Sequence, residues 1–216
     1  MQKIVIKGQK HLSGEIKISG AKNSAVALIP AAILSDDEAS IFNLPKISDT
    51  ESLIDILESL NCKCNVSQDM IKIETSMMKN AVIQEEQSSK LRASYYFMGA
   101  LLGKFKKVEM YFPGGCKIGS RPIDLHLKGF EKMGAKVEIE GDKYIISANH
   151  LKGARIYLDF ASVGATINLM LAAVKADGET IISNAAKEPE IVNVATFLSN
   201  MGANIFGAGT SEIRIV

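Results

Sequence analysis

Met133-Gly134-Ala135-Lys136 closes an amphipathic segment, and the same join returns as Leu60-Asn61-Cys62-Lys63 and Met201-Gly202-Ala203-Asn204. The copies begin at residues 60, 133 and 201, about 70 residues apart. Each is preceded by an apolar helix, a strand and an amphipathic helix, and followed by a two-stranded finish. A polar residue near the start of each apolar helix, Lys22, Arg92 or Ser162, precedes its join by 38, 41 or 39 residues, so the three occupy equivalent places. The period exceeds that of common solenoids and each unit mixes α and β. The pattern predicts an α+β fold: three βαβαββ-like units wrapped around buried helices. Cys62 falls where the other copies have Ala135 and Ala203, which marks it as a small buried residue.

Composition narrows the function classes. The 216 residues can bury a substantial core. Lys+Arg 25 against Asp+Glu 24 gives a net charge of +1, so nothing in the balance points to nucleic acid or a membrane surface. Anion binding, if present, is local. No window approaches the roughly 18 apolar residues of a membrane helix, and residues 1–8 lack the pattern of a signal peptide. Three cysteines without framework spacing read as reduced thiols of a cytoplasmic protein. Cys62 and Cys64 have no second pair to complete a zinc site, and no metal is expected.

In chain order, residues 3–7 and 14–19 read as a hairpin. Residues 25–34 form a helix apolar nearly all round, with Asn23 or Ser24 as its cap. Lys22 then lies beside free amides at the positive helix end, which is either a phosphate site or a capped helix with a solvated lysine. Ser48 and Glu51 form a capping-box pattern before the helix 53–60. A polar stretch, 84–90, leads into the apolar helix 91–98, which carries Arg92 in its first turn. That arginine opposes the helix dipole, so it either reaches an anion or is surface. Ser162-Val163-Gly164 opens a third apolar helix whose first turn suits an approaching phosphate. His11, His126 and His150 are not at ligand spacing, and surface or turn roles are expected for them.

Residues 113–125, Pro-Gly-Gly-Cys-Lys-Ile-Gly-Ser-Arg-Pro-Ile-Asp-Leu, have the composition of a site. Glycines permit close backbone approach, Lys117 and Arg121 bring charge, and Pro122 suits a helix start. Cys116, beside those cations, is the thiol expected to react. With the repeat aligning the helix starts of Lys22, Arg92 and Ser162, this loop is expected to close over them as a lid.

Four runs carry a resemblance: Ala21-Lys22-Asn23-Ser24, the cysteine loop through His126, Ser162-Val163-Gly164-Ala165-Thr166, and Ala185-Ala186-Lys187-Glu188-Pro189-Glu190-Ile191-Val192. Together they closely resemble the UDP-N-acetylglucosamine 1-carboxyvinyltransferases of the EPSP synthase superfamily. EPSP synthase itself lacks the cysteine loop. The resemblance implies an inside-out α/β barrel of the enolpyruvyl transferase type, with outer sheets. It also implies transfer of the enolpyruvyl group of phosphoenolpyruvate to the 3-hydroxyl of UDP-N-acetylglucosamine, releasing phosphate, in peptidoglycan synthesis. No cofactor is implied.

Carried over by position, Lys22, Asn23 and Arg121 contact phosphoenolpyruvate. Arg92, Arg121, Pro122, Ile123, Asp124, Leu125, Ser162, Val163 and Gly164 contact the nucleotide sugar, and Cys116 donates the proton. There is a tension, because the cations that favour a Cys116 thiolate work against a group that must hold its proton. Two features depart from the family. Phe160 stands where many relatives carry a lysine toward the diphosphate. The family's chain is also about twice as long, with the aspartate base in its second half. Residues 1–20 are therefore expected to be strands belonging to a second domain, and residues 21–216 the transferase domain, the chain being either a truncated product or half of a two-chain enzyme and inactive alone. The alternative is a non-catalytic domain that binds a nucleotide sugar or a partner.

Overall fold

A computed structural model of the chain describes residues 3–8, 10–114 and 123–216. The first unit runs α1 (Lys22–Ala32), β1 (Ala39–Phe42), α2 (Ser48–Ser59), β2 (Lys63–Ser67) and β3 (Met70–Glu74). A short helix α3 (Glu85–Ser88) and a 3-10 turn (Arg92–Tyr95) lead into the second: α4 (Tyr96–Phe105), β4 (Lys107–Tyr111), α5 (Asp124–Lys132), β5 (Lys136–Glu140) and β6 (Lys143–Ser147). The third comprises β7 (Arg155–Tyr157), α6 (Val163–Ala173), β8 (Thr180–Ser183), α7 (Pro189–Asn200), β9 (Ile205–Phe206) and β10 (Glu212–Ile215).

Each unit folds its sheet in the same order, with the last strand in the middle: β1-β3-β2, β4-β6-β5 and β7-β8-β10-β9. All pairings are antiparallel except β7 with β8. The full βαβαββ unit is present only in the third copy. In the second, the first strand is reduced to a single parallel bridge from Ile83 to Met110. In the first, no described residue pairs with the outer edge of β1.

The repeated joins have a common cause. Each ends its amphipathic helix in a Schellman motif, with a left-handed residue at Asn61 (φ 64°), Gly134 (φ 89°) or Gly202 (φ 101°). The amide of the following residue closes back on the helix, Cys62 to the Leu57 carbonyl, Ala135 to Phe130 and Ala203 to Leu198, at 3.0, 3.0 and 3.1 Å. Cys62 and Ala135 are buried behind these turns.

The apolar helices α1, α4 and α6 form the centre. Every residue of α6 from Gly164 to Ala173 is buried, as expected of a helix apolar all round. Helices α2, α5 and α7 each bury one stripe, as with Ile191, Val194, Ala195 and Leu198 in α7. Glycine sets how closely α4 approaches α6: a Cβ on Gly99 would stand 2.1 Å from the Asn168 carbonyl oxygen.

Several expectations need correction. Residues 3–7 and 14–19 form no hairpin; every described residue from 3 to 19 is exposed, including Ile4, Ile6, Ile16 and Ile18. Their alternation suits a strand, but a strand needs a neighbouring edge, and none reaches them. Helix α1 begins at Lys22 with Ala21 as its cap, so Asn23 and Ser24 do not cap it. Their side chains instead bond Glu190 and Asn193 of α7, at 3.0 and 2.7 Å. Ser48 likewise makes no cap bond. Ile47 is the N-cap of α2, and Thr50 Oγ1 donates to its carbonyl at 2.7 Å. The capping box lies instead in the stretch read as polar coil, where Gln84 and Gln87 bracket α3. The apolar helix expected from residue 91 begins as a 3-10 turn and becomes α-helical at Tyr96. Among the described residues, no helix is long and apolar enough to cross a membrane.

Candidate functional site

The six longer helices start at the same end of the molecule, and their first turns line one cavity of about 780 Å³. Lys22 and Asn23 come from α1, Asp49 from α2, Tyr96 from α4, His126 from α5, Val163 and Gly164 from α6, and Glu190 from α7. Arg92 and Tyr95 enter from the 3-10 turn, and Ser162 caps α6 by accepting the Ala165 amide at 3.3 Å. Unpaired amides and the positive ends of helix dipoles thus face a common space, the physical basis of an anion site.

Charges on the wall are already partnered. Lys22 Nζ lies 2.5 Å from Asp49 Oδ2, and Asn23 donates to Glu190 Oε1. An anion entering the cavity therefore competes with Asp49 for Lys22. Carboxylates in the first turns of α2 and α7 offset the dipoles there. The guanidinium of Arg92 lies 5.9 Å from the ring centre of Tyr95. Phe160 is exposed at the cavity rim, where it contributes an apolar face and no charge.

Behind the wall, Asn168 of α6 ties three elements together. Its Oδ1 accepts the Gly99 amide at 2.7 Å, and its Nδ2 donates to the Tyr95 carbonyl and to His126 Nδ1, each at 2.9 Å. His126 also meets the edge of Tyr95, with ring centres 5.0 Å apart. It is buried, which overturns the surface role expected for it, and burial together with the Arg92 charge pushes its pKa down to about 3.

Of the expected site residues, Lys22, Asn23, Arg92, Ser162, Val163 and Gly164 are brought together at the cavity. Ile123 and Leu125 are buried in the core, and Asp124 is exposed beside Lys128 at 3.8 Å; none of the three lines the cavity. Cys116, Lys117, Arg121 and Pro122, and with them the expected lid, lie outside the described residues. No group of three or more metal-ligating side chains occurs among the described residues.

From residue 6 to residue 216 the chain matches the family described as EPSP synthase (3-phosphoshikimate 1-carboxyvinyltransferase). The chain belongs to the EPSP synthase family. Relatives within it include "UDP-N-acetylglucosamine 1-carboxyvinyltransferase 2" of Oceanobacillus iheyensis, 56% identical over 215 residues, covering 100% of this chain and 50% of the relative. The Listeria innocua protein of the same name is 57% identical over 213 residues, covering 99% and 50%. The chain thus spans about half the length of the curated relatives it matches. Among solved structures of the fold, the enolpyruvyl transferase NikO from Streptomyces tendae superposes with a TM-score of 0.83 at 22% identity, over 96% of this chain and 49% of that one. EPSP synthase from Acinetobacter baumannii gives 0.72 at 19%, over 94% and 47%. These likenesses show the family's enolpyruvyl transferase fold.

Sequence reasoning missed Asp49, Glu190, His126 and Asn168. The first two were legible only as dipole-compliant first-turn acids. His126 had a signal: it shares the buried stripe of α5 with Leu125, Gly129 and Phe130.

The two described cysteines differ from the expected reactive one. Burial raises the Cys62 thiol to about 11 and, with Cys62 and Glu58 adding, the Cys64 thiol to about 12. Alkylation by iodoacetamide at pH 8 should therefore leave both largely unmodified and concentrate on Cys116, as read by peptide mass spectrometry. Equal labelling of Cys64 and Cys116 would contradict this.

Proposed function

We propose that the chain is the substrate-binding half of an enolpyruvyl transferase acting on phosphoenolpyruvate and UDP-N-acetylglucosamine. The observation that carries this is the convergence of Lys22, Asn23, Arg92 and the Ser162–Gly164 turn on one cavity at six helix starts. A substrate pair bearing three phosphate groups suits a site assembled from helix ends and cations. Lys22, Asn23 and Arg121 hold phosphoenolpyruvate. Arg92, Arg121 and the first turn of α6 hold the nucleotide sugar, with Phe160 leaving the diphosphate one cation short.

The chemistry is addition followed by elimination. The sugar 3-hydroxyl oxygen bonds to C2 of phosphoenolpyruvate as a base takes its proton, and the Cys116 thiol protonates the C3 methylene. A proton then leaves C3, the double bond re-forms, and the C2–O bond to phosphate breaks. Cations beside the departing phosphate stabilise it. The base comes from the second half of the enzyme, and the complete enzyme works in the cytoplasm on soluble precursors of the cell wall.

Calorimetric titration tests the reading. UDP-N-acetylglucosamine should bind this chain, and Arg92→Ala should weaken binding at least tenfold, as loss of a charge-assisted contact implies. Absence of binding would remove the reading. Turnover by this chain alone, assayed as phosphate release, would overturn its status as half of a site.

A further inference from the structure

The amide of Asn168 is fixed by its partners. A backbone N–H can only donate and a carbonyl can only accept, so the bonds to Gly99 N and Tyr95 O determine which end of the amide carries its hydrogens. The remaining Nδ2 hydrogen points at His126 Nδ1, 2.9 Å away. That ring nitrogen must therefore present its lone pair, and the ring's proton sits on Nε2. Nε2 has no hydrogen-bond partner among the described residues. The one fully enclosed side-chain polar atom without a partner there is Thr180 Oγ1, so Nε2 keeps some accessible surface, and His126 is a residue of the cavity wall. His126 itself is only 4% exposed, which leaves a nearly buried donor in the wall of the space between the helix starts.

We propose that Asn168 is a positioning residue that locks His126 as its Nε2–H tautomer, so that a neutral ring N–H donates to an oxygen of the ligand. This rests on the nucleotide-sugar reading and adds a division of labour to it. Lys22, Arg92 and the helix ends attract phosphate, whereas a neutral donor orients the ligand without adding charge. The charged groups bearing on the ring are Arg92 from the 3-10 turn and Asp124 on α5 itself. Helix α6 supplies Asn168 and Gly164, neither of which titrates. Gly164 keeps the approach open, since a Cβ there would lie 2.7 Å from the Tyr95 hydroxyl and 3.2 Å from His126 Cε1.

Ring-nitrogen NMR of the 15N-histidine-labelled chain reads the tautomer directly. The wild-type protein should show a neutral Nε2–H ring from pH 8 to pH 5, and saturating UDP-N-acetylglucosamine should shift the Nε2 signal. Asn168→Asp should leave the ring doubly protonated at pH 7, because a carboxylate beside Nδ1 accepts a hydrogen bond from Nδ1–H and stabilises the imidazolium. Asn168→Leu should release the ring to a mixture of tautomers and weaken binding about tenfold, the worth of one hydrogen bond. An Nδ1–H ring in the wild type, a ring that protonates between pH 7 and pH 6, or a Leu variant that stays purely Nε2–H overturns the lock. The wild-type spectrum decides this even if neither variant folds. Measured binding with an unmoved Nε2 signal overturns the donor role. No heat on titrating the nucleotide sugar removes the ligand reading instead, while the ring signals still judge the lock.

Discussion

Gly99→Ala is expected to destabilise the fold by about 3–5 kcal/mol, the sum of an overpacked core and a lost buried hydrogen bond. The new methyl group would meet the Asn168 carbonyl oxygen at 2.1 Å and its Oδ1 at 2.5 Å, and both belong to a helix buried along its length. The first is backbone, and the second is buried and held by its bond to the Gly99 amide, so α4 and α6 must separate. Separation breaks the Gly99 amide bond to Asn168 and loosens its links to Tyr95 and His126. Gly103→Ala is the comparison: its Cβ would stand 2.9 Å from the Leu171 carbonyl, a milder overlap one turn further along the same contact. Urea denaturation should place the Gly99 variant well below the Gly103 variant. A Gly99→Ala protein within about 1 kcal/mol of wild type would mean that these helices do not pack so closely.

The second large effect is in acid. His126 is held near pKa 3 by burial and by Arg92, against an ordinary value of 6.5. Because its folded pKa is depressed, the unfolded chain binds the extra proton between those values, so stability is complete above pH 6.5 and falls as pH drops toward 3. The loss approaches about 1 kcal/mol per pH unit in that window, a few kcal/mol in all. The slope of unfolding free energy between pH 6 and pH 4.5 should become shallower by nearly one proton in His126→Leu, whatever that variant's stability at pH 7. Carboxylates contribute to acid unfolding in both proteins and cancel in the comparison. Identical slopes would show that His126 titrates normally and is not enclosed.

How much of this was legible in the sequence depended on whether a residue's role is set locally. The joins at residues 60, 133 and 201 were readable because a left-handed helix end has its own chemistry, whereas the strand order shared by the three sheets emerges only in the structure. The centre was readable because α1, α4 and α6 carry almost no polar side chains. Lys22, Arg92 and Ser162 were found through their equivalent places in the repeat. The alternating segment at residues 3–7 does not pair as a hairpin because strand formation depends on an edge supplied from elsewhere, which no local pattern reports. Asn23 and Ser24 looked like caps because caps favour those residues, yet their side chains turn to α7. Asn168 lies in a mostly apolar helix, and its meaning appears only when Gly99, Tyr95 and His126, distant in sequence, meet it.

The alignment of six helices also has an electrical consequence for folding itself. If each start carries roughly half a positive charge, the cavity gathers on the order of three charges of one sign. The first-turn carboxylates Asp49, Glu51, Asp124 and Glu190 offset that charge at α2, α5 and α7, whereas α1, α4 and α6 carry no acidic residue in their first turns. The outer ring of helices thus neutralises its own ends, and the positive side of the balance rests on the three central ones.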